Sequence, residues 1–357
     1  MKKSKANSPT HHNGICADER ARLRTGADLM GLPRAFGPSP VRGALRSRPT
    51  DFIVDEQLAF PLSGEGEHLY LRLRKSGQNT RWVARELARR LGLPPKAIGF
   101  AGLKDRHAVT SQWFSVHLPG RPDPASDDVA IDGVELVEAV RHTGKLRTGA
   151  LSGNRFRLVI RDLTGDREEL RERLVALRSH PVPNYFGAQR FGRDARNLDL
   201  LAVPASQPDR DARSFALSAL RSALFNMWLA TRIDEHSWRT PMRGEIVWRP
   251  AAGRYLHVAK VEGQEEVFPT GLLCGAGDNQ ATEDALRAER EFFGAFPDTC
   301  DVLAAFDTRT MRRPLCLLIG ELEFECRQAE LELAFSLARG QFATTAIREL
   351  GDFFDAG

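Results

Sequence analysis

The sequence predicts an α+β protein with two domains. At 357 residues the chain is long enough for about two domains of ordinary size, each with its own hydrophobic core. Its residues are 42% hydrophobic and 27% charged, a balance typical of globular proteins and against disorder along the whole chain. Patterns typical of strands and helices are interspersed without strict alternation, which favours α+β over a doubly wound parallel sheet.

The first predicted elements follow a polar N-terminal segment. Residues 1–40 lack periodicity and end in a stretch rich in proline and glycine, so we expect a flexible basic arm there. A β-like Phe-Ile-Val run at residues 52–54 begins the ordered part. Residues 68–74 alternate leucine with polar side chains, which predicts a half-buried strand. Asn79 or Thr80 can cap a helix that ends near Leu91.

The middle of the chain is predicted to be rich in strands. A short apolar stretch at residues 98–101 leads into a polar turn at residues 102–110. Three strands are then expected, at residues 111–118, 134–141 and 154–163. A helix capped by Asp166 is expected to follow them and to end at Arg178. The proline-rich residues 180–183 interrupt this pattern and indicate a domain boundary.

The last part of the chain mixes both kinds of element. The patterns predict helices at residues 213–236 and 282–293 and from Thr344, and strands at residues 245–248, 255–261, 321–325 and 331–337.

Charge is unevenly distributed along the sequence. The net charge is +4, yet residues 1–118 hold 20 basic and 10 acidic side chains, whereas residues 201–357 hold 17 and 24. The first third is therefore a candidate surface for a polyanion. Of the 51 basic residues 43 are arginine, whose guanidinium suits phosphate, but a base-composition bias in the source genome explains that excess equally well.

Several classes of protein are disfavoured by missing motifs. The sequence has no apolar run of about 20 residues and no signal-peptide pattern, so we expect no membrane-spanning segment. Scattered cysteines without a disulfide pattern fit a reducing, cytoplasmic location. Its five cysteines are scattered and form no CxxC pair. GxGxxG, GxxxxGK[ST] and HExxH patterns do not occur, and we expect neither a cofactor nor a metal ion.

The segment with the highest density of chemically active residues runs from residue 100 to residue 115. Asp105 stands between Lys104 and Arg106, in a glycine-entered loop between two apolar strands. Flanking cations favour the charged carboxylate, and loops on a rigid scaffold often carry catalytic groups. The residues alone leave two interpretations open, a catalytic aspartate and a structural salt bridge at a turn.

Six segments resemble the TruD family of tRNA pseudouridine synthases, and they occur in the family's order. In chain order they are RSRPTDFIVDE at residues 46–56, FAGLKDRHAVTSQWFSV at 100–116, RHTGKLRTGALSGNRF at 141–156, VPNYFGAQRFGRDARNL at 182–198, RSFALSALRSALFN at 213–226 and FATTAIREL at 342–350. Together they span about residues 44–350, so the resemblance is specific although each short motif alone is not.

The resemblance implies a fold and a reaction. It implies a catalytic domain with a mixed, largely antiparallel sheet at residues 41–181 and 311–357, and an inserted α/β domain at residues 182–310. The implied reaction is the isomerisation of uridine to pseudouridine in tRNA, at uridine 13, without a cofactor. Asp105 occupies the position of the family's catalytic aspartate, and Arg46 the position of a basic partner that is ordinarily lysine. A surface contact to phosphate is the alternative role for Arg46.

The resemblance also implies residues that hold the target base. Phe52, Asn154, Phe156 and Phe342 match positions that line a pocket for a base turned out of its stack, and Lys104, Tyr185 and Arg190 are further candidates for substrate binding. We expect Phe156 to be accessible because Gly153 and Asn154 interrupt the strand pattern before it. Ordinary core packing is the alternative for each phenylalanine, and hinge packing between domains is the alternative for Tyr185 and Arg190.

The expected partner is tRNA, bound in a basic cleft by a protein that we expect to be a monomer. The rival interpretation is a non-catalytic RNA-binding protein that uses the same basic cleft. The intact GLKDR segment around Asp105 favours the enzyme, because a protein that only binds RNA has no need of that aspartate.

Overall fold

The computed structural model describes residues 14–105, 108–201, 209–261, 265–306 and 308–356. The helices are α1 (Ala17–Ala27), α2 (Thr80–Arg90), α3 (Ser126–Val129), α4 (Arg167–Ser179), α5 (Arg210–Asp234), α6 (Glu283–Gly294), α7 (Pro297–Ala305) and α8 (Ala343–Ile347). The strands are β1 (Arg42–Leu45), β2 (Phe52–Leu58), β3 (His68–Lys75), β4 (Ile98–Phe100), β5 (Val109–His117), β6 (Val134–His142), β7 (Leu151–Thr164), β8 (Val182–Pro183), β9 (Ile246–Arg249), β10 (Arg254–His257), β11 (Phe268–Leu273), β12 (Met311–Pro314), β13 (Cys316–Leu317), β14 (Gly320–Cys326), β15 (Leu331–Ala338) and β16 (Asp352–Asp355).

The chain divides into two compact units. The sheet unit consists of residues 38–180, 318–343 and 347–357, and the helical unit of residues 1–37, 181–317 and 344–346, each as far as it is described. One division falls between His180 and Pro181, in the proline-rich segment, and the next falls after Leu317. The sequence places this second division earlier, at residues 310 and 311.

The sheet unit is built on one ten-stranded sheet. Its main order is β14-β15-β7-β2-β5-β3-β6, with β1 beside β7 and β16 and with β4 beside β5. Neighbouring strands run antiparallel except for the parallel pairs β2–β5 and β1–β16. This mixed, largely antiparallel sheet confirms the predicted α+β class.

The hydrophobic alternation of β3 and β5 places a core between the sheet and α2. Leu71 and Phe114 are 1% and 0% exposed, and they belong to one cluster with Val83 and Leu87 of α2. Burying each such side chain contributes about 2 kcal/mol, which explains why these residues determine the position of the helix. The predicted cap of α4 is confirmed, because the Asp166 carboxylate accepts hydrogen bonds from the backbone N–H groups of Glu168 and Glu169.

Strand β7 is longer than the sequence predicts. The expected interruption at Gly153 and Asn154 is wrong, since both residues pair with β2 on one side and β15 on the other. A Cβ atom at Gly153 would lie 2.2 Å from the carbonyl oxygen of Leu337. The glycine therefore permits a close approach of two strands inside the sheet and does not end the strand.

The helical unit surrounds α5, much of which is buried. Strands β10, β9, β11 and β12 form a sheet in that order, and β8 pairs with β13; all these pairs are antiparallel. The expected combination of helices and strands is therefore present in this part of the chain. None of the described helices has both the length and the apolar character needed to cross a membrane.

The flexible arm predicted for residues 1–40 is wrong where the structure describes it. Helix α1 packs against α5, with Leu23 fully buried and the carbonyl of Gly26 accepting a hydrogen bond of 2.8 Å from the Asn226 amide. The carboxylate of Glu19 accepts hydrogen bonds from the backbone of Asp298 and Thr299, at the start of α7. Long-range contacts hold this helix, so its sequence needs no apolar periodicity. Residues 1–13 lie outside the described part of the chain.

Candidate active site

Arg46 lies beside Asp105. A guanidinium nitrogen of Arg46 is 3.6 Å from the Asp105 Oδ2 atom, and another is 2.5 Å from the Asp355 carboxylate. The Arg46 side chain is 10% exposed, whereas that of Asp105 is 44% exposed. The two residues are therefore an ion pair in which the carboxylate remains open to a substrate. Of the two alternatives for Arg46, a partner of Asp105 and a surface contact to phosphate, the contact with Asp105 favours the first.

The backbone and a neighbouring ring hold Arg46 in place. Its φ is 59°, in the left-handed region that residues other than glycine rarely adopt. Its guanidinium carbon lies 4.2 Å from the centroid of the Phe52 ring, a cation–π contact. Between the two residues, the buried Asp51 accepts two hydrogen bonds from Arg161, which holds the start of β2. Strained backbone held by its surroundings is common at functional sites.

Arg46→Met removes the cation beside the Asp105 carboxylate, so we expect any activity that depends on this carboxylate to fall by about 100-fold. Arg46→Lys keeps the charge but cannot contact both carboxylates with a planar fork, so we expect a loss of about tenfold or less. Single-turnover rates of the two variants check this. Equal rates for Arg46→Met and the unaltered protein would show that the cation does not act on the reaction.

Lys104 has a different partner from the one the sequence suggests. Its ammonium lies 2.5 Å from the Glu56 carboxylate, with the two side chains 9% and 0% exposed. The other oxygen of Glu56 accepts a hydrogen bond from the backbone N–H of Trp113. Lys104 flanks Asp105 in sequence as expected, but its ammonium pairs with Glu56, and its predicted role in substrate binding stays a prediction. Arg106 lies outside the described residues.

Lys75 is a buried cation near the same loop that the sequence analysis missed. It is 1% exposed, and its ammonium donates a hydrogen bond of 2.9 Å to the carbonyl of Gln78. Burial and then the charge of Lys104 lower the pKa of Lys75 to about 8, while Asp105 acts in the opposite direction. The sequence could have indicated this lysine, because it continues the every-second-residue pattern of the buried leucines of β3.

The two aromatic residues predicted to line a base pocket contact each other. The rings of Phe52 and Phe156 meet edge to face at 6.2 Å, and Phe156 stacks on Phe335 at 5.5 Å. Phe52 and Phe156 are 4% and 7% exposed. The expected accessibility of Phe156 is therefore wrong, because the strand continues through Gly153 and buries the ring.

Asn154 and Phe342 also belong to the sheet unit. Asn154 lies directly opposite Glu56 in the β2–β7 pairing, on the face of the sheet that carries Phe52 and Phe156. Its Oδ1 atom is buried and has no hydrogen-bond partner among the described residues. Phe342 precedes α8 and is half-buried. Asn154 is thus the one of these two that offers an amide oxygen for a ligand.

Tyr185 and Arg190 belong to the helical unit. Tyr185 is 1% exposed, and its hydroxyl donates a hydrogen bond to the carbonyl of Pro33. Arg190 donates to the Ser218 hydroxyl and lies 5.4 Å from the Phe186 ring, and burial lowers its pKa. These contacts all lie within the helical unit, so both roles that the sequence leaves open for the two residues stay predictions.

Known proteins of one family match this chain over most of its length. The model of the family described as tRNA pseudouridine synthase D (TruD) matches residues 35–202 and 207–350. A tRNA pseudouridine synthase D from Methylococcus capsulatus is 41% identical over 338 residues, covering 91% of this chain and 96% of that protein. One from Hydrogenovibrio crunogenus is 37% identical over 327 residues, covering 88% and 94%.

A solved structure has the same fold. It is a crystal structure from Methanosarcina mazei whose description carries the family name TruD, with a TM-score of 0.65 and 21% sequence identity. The match covers 89% of this chain and 95% of that chain. At this identity the likeness supports the fold, and the matches in sequence support the family.

Proposed function

Because this chain belongs to the TruD family of tRNA pseudouridine synthases, we propose that it isomerises uridine to pseudouridine in tRNA with Asp105 as the reacting carboxylate. The observation that supports this most directly is the exposed carboxylate of Asp105 beside the nearly buried Arg46. An aspartate that is open to solvent and held next to a cation is suited to react with a bound nucleoside.

The reaction needs little from the protein besides a carboxylate and a site that holds the base. The N1–C1′ bond breaks, the base turns, and C5 bonds to C1′. The hydrogen on C5 leaves as a proton and N1 takes up a proton, so the product is an isomer of the substrate. Asp105 either attacks the nucleoside covalently or removes a proton to start an elimination. Both routes start from an ionised, accessible carboxylate, and Arg46 supplies the neighbouring positive charge in either case.

We assign recognition of the base to the face of the sheet that carries Phe52 and Asn154. The amide of Asn154 can hydrogen-bond the edge of uracil, and its oxygen has no partner among the described residues. Phe156 lies on the same face, and its ring contacts Phe52. The sheet unit is in this proposal the catalytic domain, and the helical unit supplies the inserted domain. We further propose uridine 13 as the target.

The proposal is tested with tRNA that carries tritium at C5 of its uridines. Formation of the C5–C1′ bond releases that hydrogen, so the protein is expected to release tritium to water. In a tRNA with cytidine at position 13, release is expected to stop. Release that continues unchanged from this tRNA would contradict position 13 while leaving the reaction class intact.

The rival function is RNA binding without chemistry. A protein of that kind would bind the labelled tRNA and release no tritium at any protein concentration. That result would overturn the proposed enzyme, whatever the affinity for RNA.

A further inference from the structure

Two buried side chains, Thr80 and Gln112, form hydrogen bonds with the backbone of the loop that carries Asp105. The backbone N–H of Lys104 donates a hydrogen bond of 3.1 Å to the hydroxyl of Thr80. That hydroxyl in turn donates to the Oε1 atom of Gln112 at 2.9 Å. The Nε2 atom of Gln112 donates to the carbonyl of Gly102 at 2.5 Å. The three hydrogen bonds form a series that begins at Lys104 and ends at Gly102, both of which belong to the three residues before Asp105.

Both side chains stand on regular secondary structure. Thr80 is the first residue of α2, Gln112 lies in the middle of β5, and each is 0% exposed. The cap residue of α2 is Asn79, and its side chain makes no capping bond. The Thr80 hydroxyl is therefore directed to the loop and to Gln112. Groups on packed helices and strands hold a neighbouring loop more accurately than other loops do.

The donor and acceptor roles in this series are determined by chemistry. A backbone N–H can only donate and a carbonyl oxygen can only accept, so Lys104 requires an acceptor and Gly102 requires a donor. The carbonyl of Gly102 selects the NH₂ end of Gln112, which directs the amide oxygen toward Thr80. Thr80 then accepts from Lys104 and donates to Gln112. Loss of either side chain leaves a partly buried polar group of the loop without this partner.

Residue 104 is held at a second point as well. Its ammonium pairs with Glu56, whose other oxygen is held by the backbone of β5 at Trp113. The residue before Asp105 is thus held by its backbone N–H and by its side chain. The orientation of the Asp105 backbone follows from that of Lys104, to which it is bonded.

We propose that Thr80 and Gln112 are positioning residues for the reaction at Asp105. They hold the loop so that the carboxylate stays next to Arg46 and reaches the substrate in one orientation. A catalytic group displaced by about 1 Å reacts about 100-fold more slowly, so the hydrogen bonds act on the chemical step. This inference rests on the proposed function of Asp105.

The experiment compares Thr80→Val, Thr80→Ser and Gln112→Met in the full chain by single-turnover tritium release and by affinity for tRNA. Valine has the shape of threonine without the hydroxyl, and we expect its rate to fall about 10- to 100-fold with affinity changed by about twofold or less. Serine keeps the hydroxyl, and its rate is expected to stay within about threefold of the unaltered protein. Gln112→Met is expected to match Thr80→Val.

Thr270→Val is the control for loss of a buried hydroxyl. Thr270 is also 0% exposed, and its hydroxyl donates to the carbonyl of Ile246 in the helical unit. We expect this variant to lower the melting temperature without changing the rate. The double variant Thr80→Val/Gln112→Met is expected to be little slower than either single variant, because both side chains act through one series of hydrogen bonds.

The outcomes separate this inference from the proposed function. If the unaltered protein releases no tritium, the proposed function fails. If the unaltered protein is active and Thr80→Val and Gln112→Met retain its rate, the positioning role is wrong and the proposed function stands. A purely structural role predicts a lower melting temperature with an unchanged rate for the folded protein, which would also overturn the inference.

Discussion

Asp105→Asn is expected to abolish tritium release from C5-labelled tRNA, with a single-turnover rate lower by about 10⁴-fold or more. Asparagine has nearly the shape of aspartate but carries no charge. Its amide can neither attack the nucleoside nor remove a proton, so either route for the reaction stops. Since the Asp105 side chain is 44% exposed, the variant is expected to fold normally and to bind tRNA.

Asp123→Asn is the matched control for the loss of one carboxylate. Asp123 also lies in the sheet unit and pairs with an arginine, Arg141, at 2.5 Å, and its side chain is 59% exposed. This variant is expected to release tritium at the unaltered rate. If Asp105→Asn also keeps that rate, Asp105 is not the reacting group and the catalytic assignment is wrong.

Arg232→Met is expected to cause the largest loss of stability of a single substitution considered for this chain, about 3–5 kcal/mol. Arg232 is fully buried in α5, and its guanidinium donates to the Glu245 carboxylate, to the carbonyl and hydroxyl of Ser237 and to the carbonyl of Thr240. Methionine replaces none of these bonds and leaves Glu245, which is 1% exposed, without its cation.

The raised pKa of Glu245 limits the loss of stability expected for Arg232→Met. Burial already raises the pKa of this carboxyl, against the opposing effect of Arg232. Without Arg232 the pKa is expected to rise further, and the side chain then takes up a proton instead of remaining a buried charge. The loss of stability in Arg232→Met is therefore expected to be larger at pH 8 than at pH 5, because protonation is easier at the lower pH.

Urea denaturation followed by tryptophan fluorescence measures this effect. Trp228 lies next to Arg232 in the helical unit and reports its unfolding. Arg243→Met is the control, since the Arg243–Glu283 pair is exposed, with side chains 76% and 49% accessible, and exposed pairs contribute about 1 kcal/mol or less. Equal losses for the two variants would contradict the energetic difference between the buried and the exposed pair.

The strands of the sheet unit could be predicted because their signal is local. The alternation at residues 68–74 appears in the structure as β3, and the cap at Asp166 appears at the start of α4. A period of two and a capping side chain depend on neighbours within a few positions. The loop around Asp105 was found in the same way, as a polar segment between two apolar strands.

Helix α1 and strand β16 could not be predicted in this way. Helix α1 has few apolar positions and is held by contacts to α5, and the short β16 forms by pairing with β1 at the other end of the chain. Neither has a periodic signal of its own. Tertiary contacts stabilise both, and a sequence window of a dozen residues does not contain them.

By itself the sequence determined the family, the α+β class and the loop that carries Asp105, because motifs and periodicity are properties of short segments. Only the tertiary structure decided which charges meet there. Arg46 contacts carboxylates at positions 105 and 355, and Lys104 turns away to Glu56. Thr80, which by sequence is one of two candidate helix caps, holds the loop before Asp105 instead. Partners so distant in sequence are chosen by how strands align and by which side chains become buried together.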